Sequence, residues 1–146
     1  MREAHTMRYP IAAATALSLL MAAPVLAGGA DEIRPADEYR MELNYISMQE
    51  AELLVGKKDV YFFDVNTLEL WAQGFIPGAV HFFTENWKEL LPKDKNAQMI
   101  FYCANRLCNA SEIAAYSVMQ MGYTNVRQMP DGIFGWRMSG RPTEKP

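Results

Sequence analysis

Cysteine and histidine are scarce in this chain. Its 146 residues include two cysteines and two histidines, and of the histidines only His81 lies after residue 27. Two thiols and one imidazole cannot complete a tetrahedral Cys/His zinc site without a carboxylate. We therefore predict that the protein binds no metal and needs no cofactor.

Positive charge is also in short supply. Lysine and arginine number 14 against 17 aspartates and glutamates, which gives a formal net charge of −3 at pH 7. After residue 27 no stretch gathers basic residues into the cluster or stripe that binds a phosphate backbone. We therefore predict that nucleic acid is not a partner.

The N-terminal stretch has the pattern of a targeting signal. Arg2 and Arg8 precede an uncharged apolar run from Ile11 to Ala27, and small residues end that run. This pattern predicts a signal peptide over residues 1–27 and export, most simply to a periplasm. The alternative is an uncleaved anchor helix, but the run is shorter than the roughly 20 residues that span a bilayer. We expect no stable membrane span after cleavage.

The remaining length suits one domain. Half of the residues are hydrophobic, and a chain of this size can bury an independent core. Residues 28–43 are polar and acidic without a clear period, which predicts a flexible lead-in. The domain is predicted over residues 44–142, and residues 143–146 form a tail.

Apolar runs alternate with helical patterns through this domain. A capping box, Ser47 to Glu50, predicts a helix through Val55, and a second one, Asn109 to Glu112, predicts another. The β-branched and aromatic run 60–65 is typical of a strand buried on both faces. The other predicted strands are 79–82, 98–103 and 126–129. The helix that follows the second capping box is predicted over 111–121, and the other predicted helices are 67–72, 85–91 after Thr84 and 132–139. This alternation indicates an α/β fold with a parallel sheet and helices on both faces.

Cys103 ends one of these strands. In open α/β sheets, functional groups gather at the carboxyl ends of strands, where loops lead into helices. The first amides of the helix that follows lack partners within that helix and carry a partial positive charge, which stabilises a thiolate. The same amides can hold an anionic group bonded to the sulfur. We therefore predict that Cys103 is a nucleophile.

Several motifs then occur in an order that resembles the rhodanese family. They are Phe63-Asp64-Val65, Gly74-Phe75-Ile76-Pro77-Gly78-Ala79, Tyr102-Cys103, Gly122-Tyr123-Thr124-Asn125-Val126, Asp131-Gly132-Ile133-Phe134-Gly135-Trp136 and Gly140-Arg141-Pro142. The resemblance spans about residues 44–142 and is to an exported, single-domain type with a Cys-x4-Cys loop. It implies a five-stranded parallel sheet and a sulfurtransferase. In such an enzyme Cys103 takes sulfane sulfur from a small donor as a persulfide and passes it to a thiol or cyanide.

The loop after Cys103 departs from the usual pattern of that family. Ala104 stands where arginine is frequent, the loop is longer, and Asp131 replaces the first glycine of a usual pair. The sequence therefore does not specify thiosulfate as the donor. We assign anion binding to Ala104, Asn105, Arg106, Leu107 and Asn109, with Arg106 as the cation that holds the donor. Asp64 and Trp136 are expected to be supporting residues.

Cys108 has two interpretations. It can be an apolar residue that packs on Ile113 ahead of the helix, or a resolving thiol that attacks the Cys103 persulfide and leaves a disulfide. An alternative function follows from the second interpretation: the pair exchanges disulfides with an exported redox partner. A permanent disulfide in a binding module without catalysis is the other alternative.

Overall fold

The computed structural model describes residues 43–146. The predicted signal peptide and all but the last residue of the predicted lead-in lie outside this range. The strands are β1 (Asn44–Tyr45), β2 (Val60–Asp64), β3 (Val80–His81), β4 (Gln98–Tyr102) and β5 (Val126–Met129). The helices are α1 (Met48–Leu54), α2 (Leu68–Ala72), a 3₁₀ helix (Trp87–Leu90), α3 (Ala110–Gln120) and α4 (Gly132–Met138). Within residues 43–146 no helix combines the length and apolarity needed to cross a bilayer.

The five strands form one sheet in the order β1-β5-β4-β2-β3. All neighbouring pairs are parallel. In register, Phe101 of β4 lies beside Phe63 of β2 on one side and Gln128 of β5 on the other. This confirms the predicted five-stranded α/β fold. It also places the carboxyl end of β4, and hence Cys103, at the centre of one sheet edge.

Helices cover both faces of this sheet, as predicted. Alternate residues of β4 pack to opposite sides: Met99 and Phe101 join a core cluster with Val118 of α3, whereas Ile100 and Tyr102 join a cluster with α1 and α4. All five of these side chains are fully buried. We call the first side the α3 face.

Two local predictions were wrong, and one strand was missed. The helix predicted over 85–91 is the short 3₁₀ helix, preceded by Asn86 rather than Thr84. The second capping box does not form, because Asn109 has φ −94° and ψ −1° and makes no side-chain cap bond. An N-cap side chain reaches the helix amides from an extended backbone, which Asn109 does not adopt. The edge strand β1, polar and only two residues long, was not located from the sequence.

Only one of the two hydrogen bonds of the first capping box forms. The amide of Glu50 donates to Ser47 Oγ at 3.2 Å, as predicted. The Glu50 carboxylate, however, accepts two hydrogen bonds from the Arg127 guanidinium of β5, at 3.1 and 3.2 Å. A bidentate bond to a cation is stronger than a bond to one backbone amide, so α1 is joined to the sheet at this point.

Candidate active site

Cys103 is held in place by the strand that it ends. The amide of Val65, just past β2, donates to the carbonyl of Tyr102 at 2.9 Å, so the ladder between β2 and β4 continues up to the cysteine. Cys103 itself is only 4% exposed. Cys103 therefore lies buried at the centre of the carboxyl-terminal edge of the sheet.

Cys103 and Cys108 form a disulfide, with their Cα atoms 6.2 Å apart. The sequence had left this pairing open. The segment between them curls around Asn105: its carbonyl accepts from the Cys108 amide at 3.1 Å, and its side chain accepts from the Leu107 amide at 3.0 Å. Asn105 thus organises the loop that brings the two sulfur atoms together.

The start of α4 clamps the other side of Cys103. The amides of Ile133 and Phe134 donate to the carbonyls of Cys103 and Ala104, at 2.8 and 2.9 Å. This contact depends on Gly132, which has φ +61° and whose added Cβ would lie 2.5 Å from the Ala104 carbonyl oxygen. The sequence contained the signal, a glycine after Asp131, but its function as a close-approach point was missed.

Arg106 and Asp131 meet across the loop. The guanidinium Nε and a terminal nitrogen of Arg106 lie 2.8 and 2.7 Å from Asp131 Oδ1. The arginine side chain is 69% exposed and the carboxylate 23% exposed. Sequence reasoning noted both residues but did not pair them. The cation assigned to a donor anion therefore already has a negative partner, which lowers the positive potential of the loop.

Asp64 lies fully buried at the end of β2. Its Oδ1 accepts from the backbone amide of Asn66 at 2.8 Å and from the Asn66 side chain at 2.7 Å. Burial raises the pKa of the Asp64 carboxyl above its ordinary value, and the Asn66 amide opposes this rise. Asp64 thus shapes the turn that follows β2.

Tyr102 lies next to Asp64 in the strand register and is also fully buried. Burial raises the pKa of its phenol well above the ordinary value, and the charge of Asp64 adds to this effect. The hydroxyl accepts from the Ile76 amide at 3.2 Å. The phenol therefore stays protonated and fastens the turn before β3 to the central strand.

Trp136 packs into the core cluster shared with Ile133 and is 1% exposed. Its indole N–H donates to the Pro142 carbonyl at 2.8 Å. His81 Nε2 lies 2.8 Å from the Asn66 carbonyl oxygen. No group of three or more histidine, cysteine, aspartate or glutamate side chains in residues 43–146 could hold a metal ion.

Comparison with known proteins identifies relatives. The family model described as "Rhodanese-like domain" matches residues 47–139. A protein named "Sulfurtransferase" from Allochromatium vinosum is 31% identical over 100 residues, covering 66% of this chain and 89% of the relative. A polysulfide-sulfur transferase homodimer from Wolinella succinogenes has a TM-score of 0.61 at 19% identity, with 75% of this chain and 84% of that chain covered. A thiosulfate sulfurtransferase from Pseudomonas aeruginosa has a TM-score of 0.61 at 21% identity, with 75% of this chain matching 21% of that longer chain.

Proposed function

This chain belongs to the rhodanese-like domain family, and from that premise we propose that it transfers sulfane sulfur through a persulfide on Cys103. The observation that carries the proposal is the position of Cys103, at the carboxyl end of the central strand and within bonding reach of a second cysteine. Sulfur transfer in general is what the family and the curated relative indicate. The Cys103 persulfide and the nature of the acceptor are our proposal.

The reaction starts from the reduced pair. The Cys103 thiolate attacks the outer sulfur of a donor and forms a new S–S bond, while the donor's own S–S bond breaks. From thiosulfate the leaving group is sulfite; from a polysulfide it is the chain shortened by one sulfur. The charge is conserved in both cases, because thiolate and dianion become persulfide anion and dianion. Sulfur then leaves Cys103 when an external thiolate attacks the outer sulfur.

The backbone of the loop supports the anionic persulfide. The amides of Leu107 and Cys108 are engaged by Asn105, so we assign the cradle to the amides of residues 104–106. Backbone N–H groups that converge on a loop form a ready anion site. Arg106 contributes to donor binding only when it turns away from Asp131.

Cys108 is proposed as the resolving thiol. Its thiol gives its proton to the outer sulfur of the Cys103 persulfide anion, and the resulting thiolate attacks Cys103 Sγ and expels hydrosulfide. The sulfane sulfur is thereby reduced, and the two cysteines are oxidised to the disulfide. The Cα distance of 6.2 Å permits this bond without movement of the backbone. The disulfide is then the state that must be reduced before the next turnover.

Mass spectrometry tests this proposal directly. The reduced chain is incubated with thiosulfate or with polysulfide, and the sulfur added per chain is measured for wild type, Cys103→Ser and Cys108→Ser. We expect one added sulfur on Cys108→Ser, its partial loss with release of sulfide in wild type, and none on Cys103→Ser. An equal adduct on Cys103→Ser, or none on either of the other two proteins, would refute the Cys103 persulfide.

The disulfide itself favours a second function, thiol–disulfide exchange with another protein. The reduction potential of the pair separates this function from a structural bond, because structural disulfides lie below about −300 mV and catalytic ones above it. Export also stays a prediction from residues 1–27, and an oxidising compartment suits a disulfide. N-terminal sequencing of the chain from a periplasmic extract checks it, since cleavage after Ala27 would leave Gly28 first.

A further inference from the structure

An apolar groove opens on the α3 face of the sheet. Its volume is about 530 Å³, within the range of small-molecule sites. Segment 82–87, which follows β3, forms one wall, and the first turns of α3 form the other. Phe83 and Ile113 stand on these opposite walls and are 61% and 59% exposed. Two large apolar side chains are thus left in solvent on either side of one cleft.

Two lining residues connect the groove to the disulfide segment. Ala110, two residues after Cys108, lines it, and so does Val65, the residue whose amide binds the carbonyl just before Cys103. Met99 and Phe101 of β4 point to the α3 face. Cys103 comes two residues after Phe101, and it is bonded to Cys108, which lies two residues before α3. The groove therefore lies beside the segment that carries the two cysteines, with Val65 and Ala110 as the lining residues nearest to them in the chain.

Charge limits what the groove can accept. Of the residues that line it, only Glu85 is charged. An anionic arm would lose its water without gaining a cation from the lining residues, and Glu85 would repel it. An aliphatic or aromatic arm, by contrast, binds favourably, because its own apolar surface and the side chains of Phe83 and Ile113 are removed from water.

We propose that this groove is the acceptor subsite and that it binds the apolar arm of the thiol that takes sulfur from Cys103. The inference rests on the proposed persulfide and specifies its acceptor class: a thiol with an uncharged alkyl or aryl arm of several carbons. With the arm in the groove, the acceptor thiol gives its proton to the Cys103 persulfide anion, and the resulting thiolate attacks the outer sulfur of that persulfide. The bond from Cys103 Sγ to that sulfur breaks, a new persulfide forms on the acceptor, and Cys103 leaves as a thiolate.

A series of straight-chain alkanethiols, from ethanethiol to hexanethiol, tests the subsite. All proteins carry Cys108→Ser, so that loaded sulfur waits for the external thiol, and loss of the persulfide is followed by mass. We expect the second-order rate constant of sulfur transfer to rise about fourfold per methylene, the factor that corresponds to about 0.8 kcal/mol per buried CH2. Ile113→Gln and Phe83→Ser each change an exposed side chain, so that folding is retained, and each should flatten the dependence on chain length.

The matched control is Leu53→Gln. Leu53 is an apolar residue of α1, 72% exposed and remote from the groove lining, so its replacement should keep the wild-type slope. If persulfide forms and transfers but chain length has no effect, or if both groove variants keep the wild-type slope, the acceptor subsite is refuted while the proposed function stands. If no persulfide forms at all, the proposed function fails, and the inference fails with it.

Discussion

Gly132 is expected to be the most sensitive glycine of the site. A Cβ at this position would lie 2.5 Å from the carbonyl carbon and oxygen of Ala104 and 2.6 Å from the carbonyl oxygen of Cys103. These are backbone atoms and cannot rotate away, so Gly132→Ala must push the start of α4 off the loop. The displacement would cost the bonds that Ile133 and Phe134 donate to the loop.

The loss of stability has three parts. A non-glycine residue at positive φ costs about 1–2 kcal/mol. The overlap adds about 1–3 kcal/mol, and each lost hydrogen bond adds about 1 kcal/mol. Gly56→Ala isolates the first part, because Gly56 has φ +72° and open space where its Cβ would lie. We therefore expect Gly132→Ala to lower the free energy of unfolding by at least about 2 kcal/mol more than Gly56→Ala does.

Urea denaturation in the presence of a reductant measures both variants against wild type. The reductant removes the disulfide, so that the comparison reports the packing of α4 on the loop. A failure of Gly132→Ala to fold while Gly56→Ala folds agrees with the argument. If the two variants lost the same free energy of unfolding to within about 0.5 kcal/mol, the usual scatter of a surface change, the close approach at Gly132 would not contribute to stability. That result would refute the reasoning.

Two further predictions concern charge. Asp131→Asn should free Arg106 and raise kcat/KM for thiosulfate by up to about fivefold, since exposed ion pairs contribute up to about 1 kcal/mol. Steady-state kinetics measure this change. If kcat/KM did not rise, or rose equally in an Arg106→Gln background, the prediction would be wrong. Burial raises the pKa of Asp64 above its ordinary 3.8, so the folded protein keeps a proton that the unfolded chain releases. As pH rises from below 3.8 through the folded pKa, the free energy of unfolding of the wild type should therefore fall relative to that of Asp64→Asn. Urea titrations across that range measure both proteins. A wild-type value that stays constant or rises relative to the variant would contradict the prediction.

The fold was predictable because its signals are local and repeated. The run 60–65 is apolar at nearly every position, as a central parallel strand must be, and the structure places it beside β4. β1 was missed because its two residues are too few to show a hydrophobic period, and because their pairing with β5 depends on the rest of the sheet. Capping failed at Asn109 for a similar reason: the disulfide loop before it dictates its backbone angles.

The candidate site was predictable only in part. The position of Cys103 was predictable, because the end of its strand and the start of the next helix are neighbours in sequence. The Arg106–Asp131 pair joins residues 25 positions apart, and the close approach at Gly132 depends on how α4 docks; neither distance can be read from a linear pattern. The acceptor groove needs segment 82–87 and α3 side by side, an arrangement that exists only in the folded chain.

Charge and shape at this site lead to one expectation about its substrates. With Arg106 held by Asp131, the loop adds little net attraction for a dianion such as thiosulfate, so the energy that selects substrates must come largely from elsewhere. The apolar groove offers that energy on the acceptor side, and apolar burial is not screened by salt, whereas an exposed charge pair is. Raising the ionic strength should therefore lower kcat/KM for thiosulfate in the Asp131→Asn protein. It should not reduce the dependence of the transfer rate on the chain length of the alkanethiol. If salt abolished that dependence, the acceptor would be selected by charge and the groove would not be its subsite.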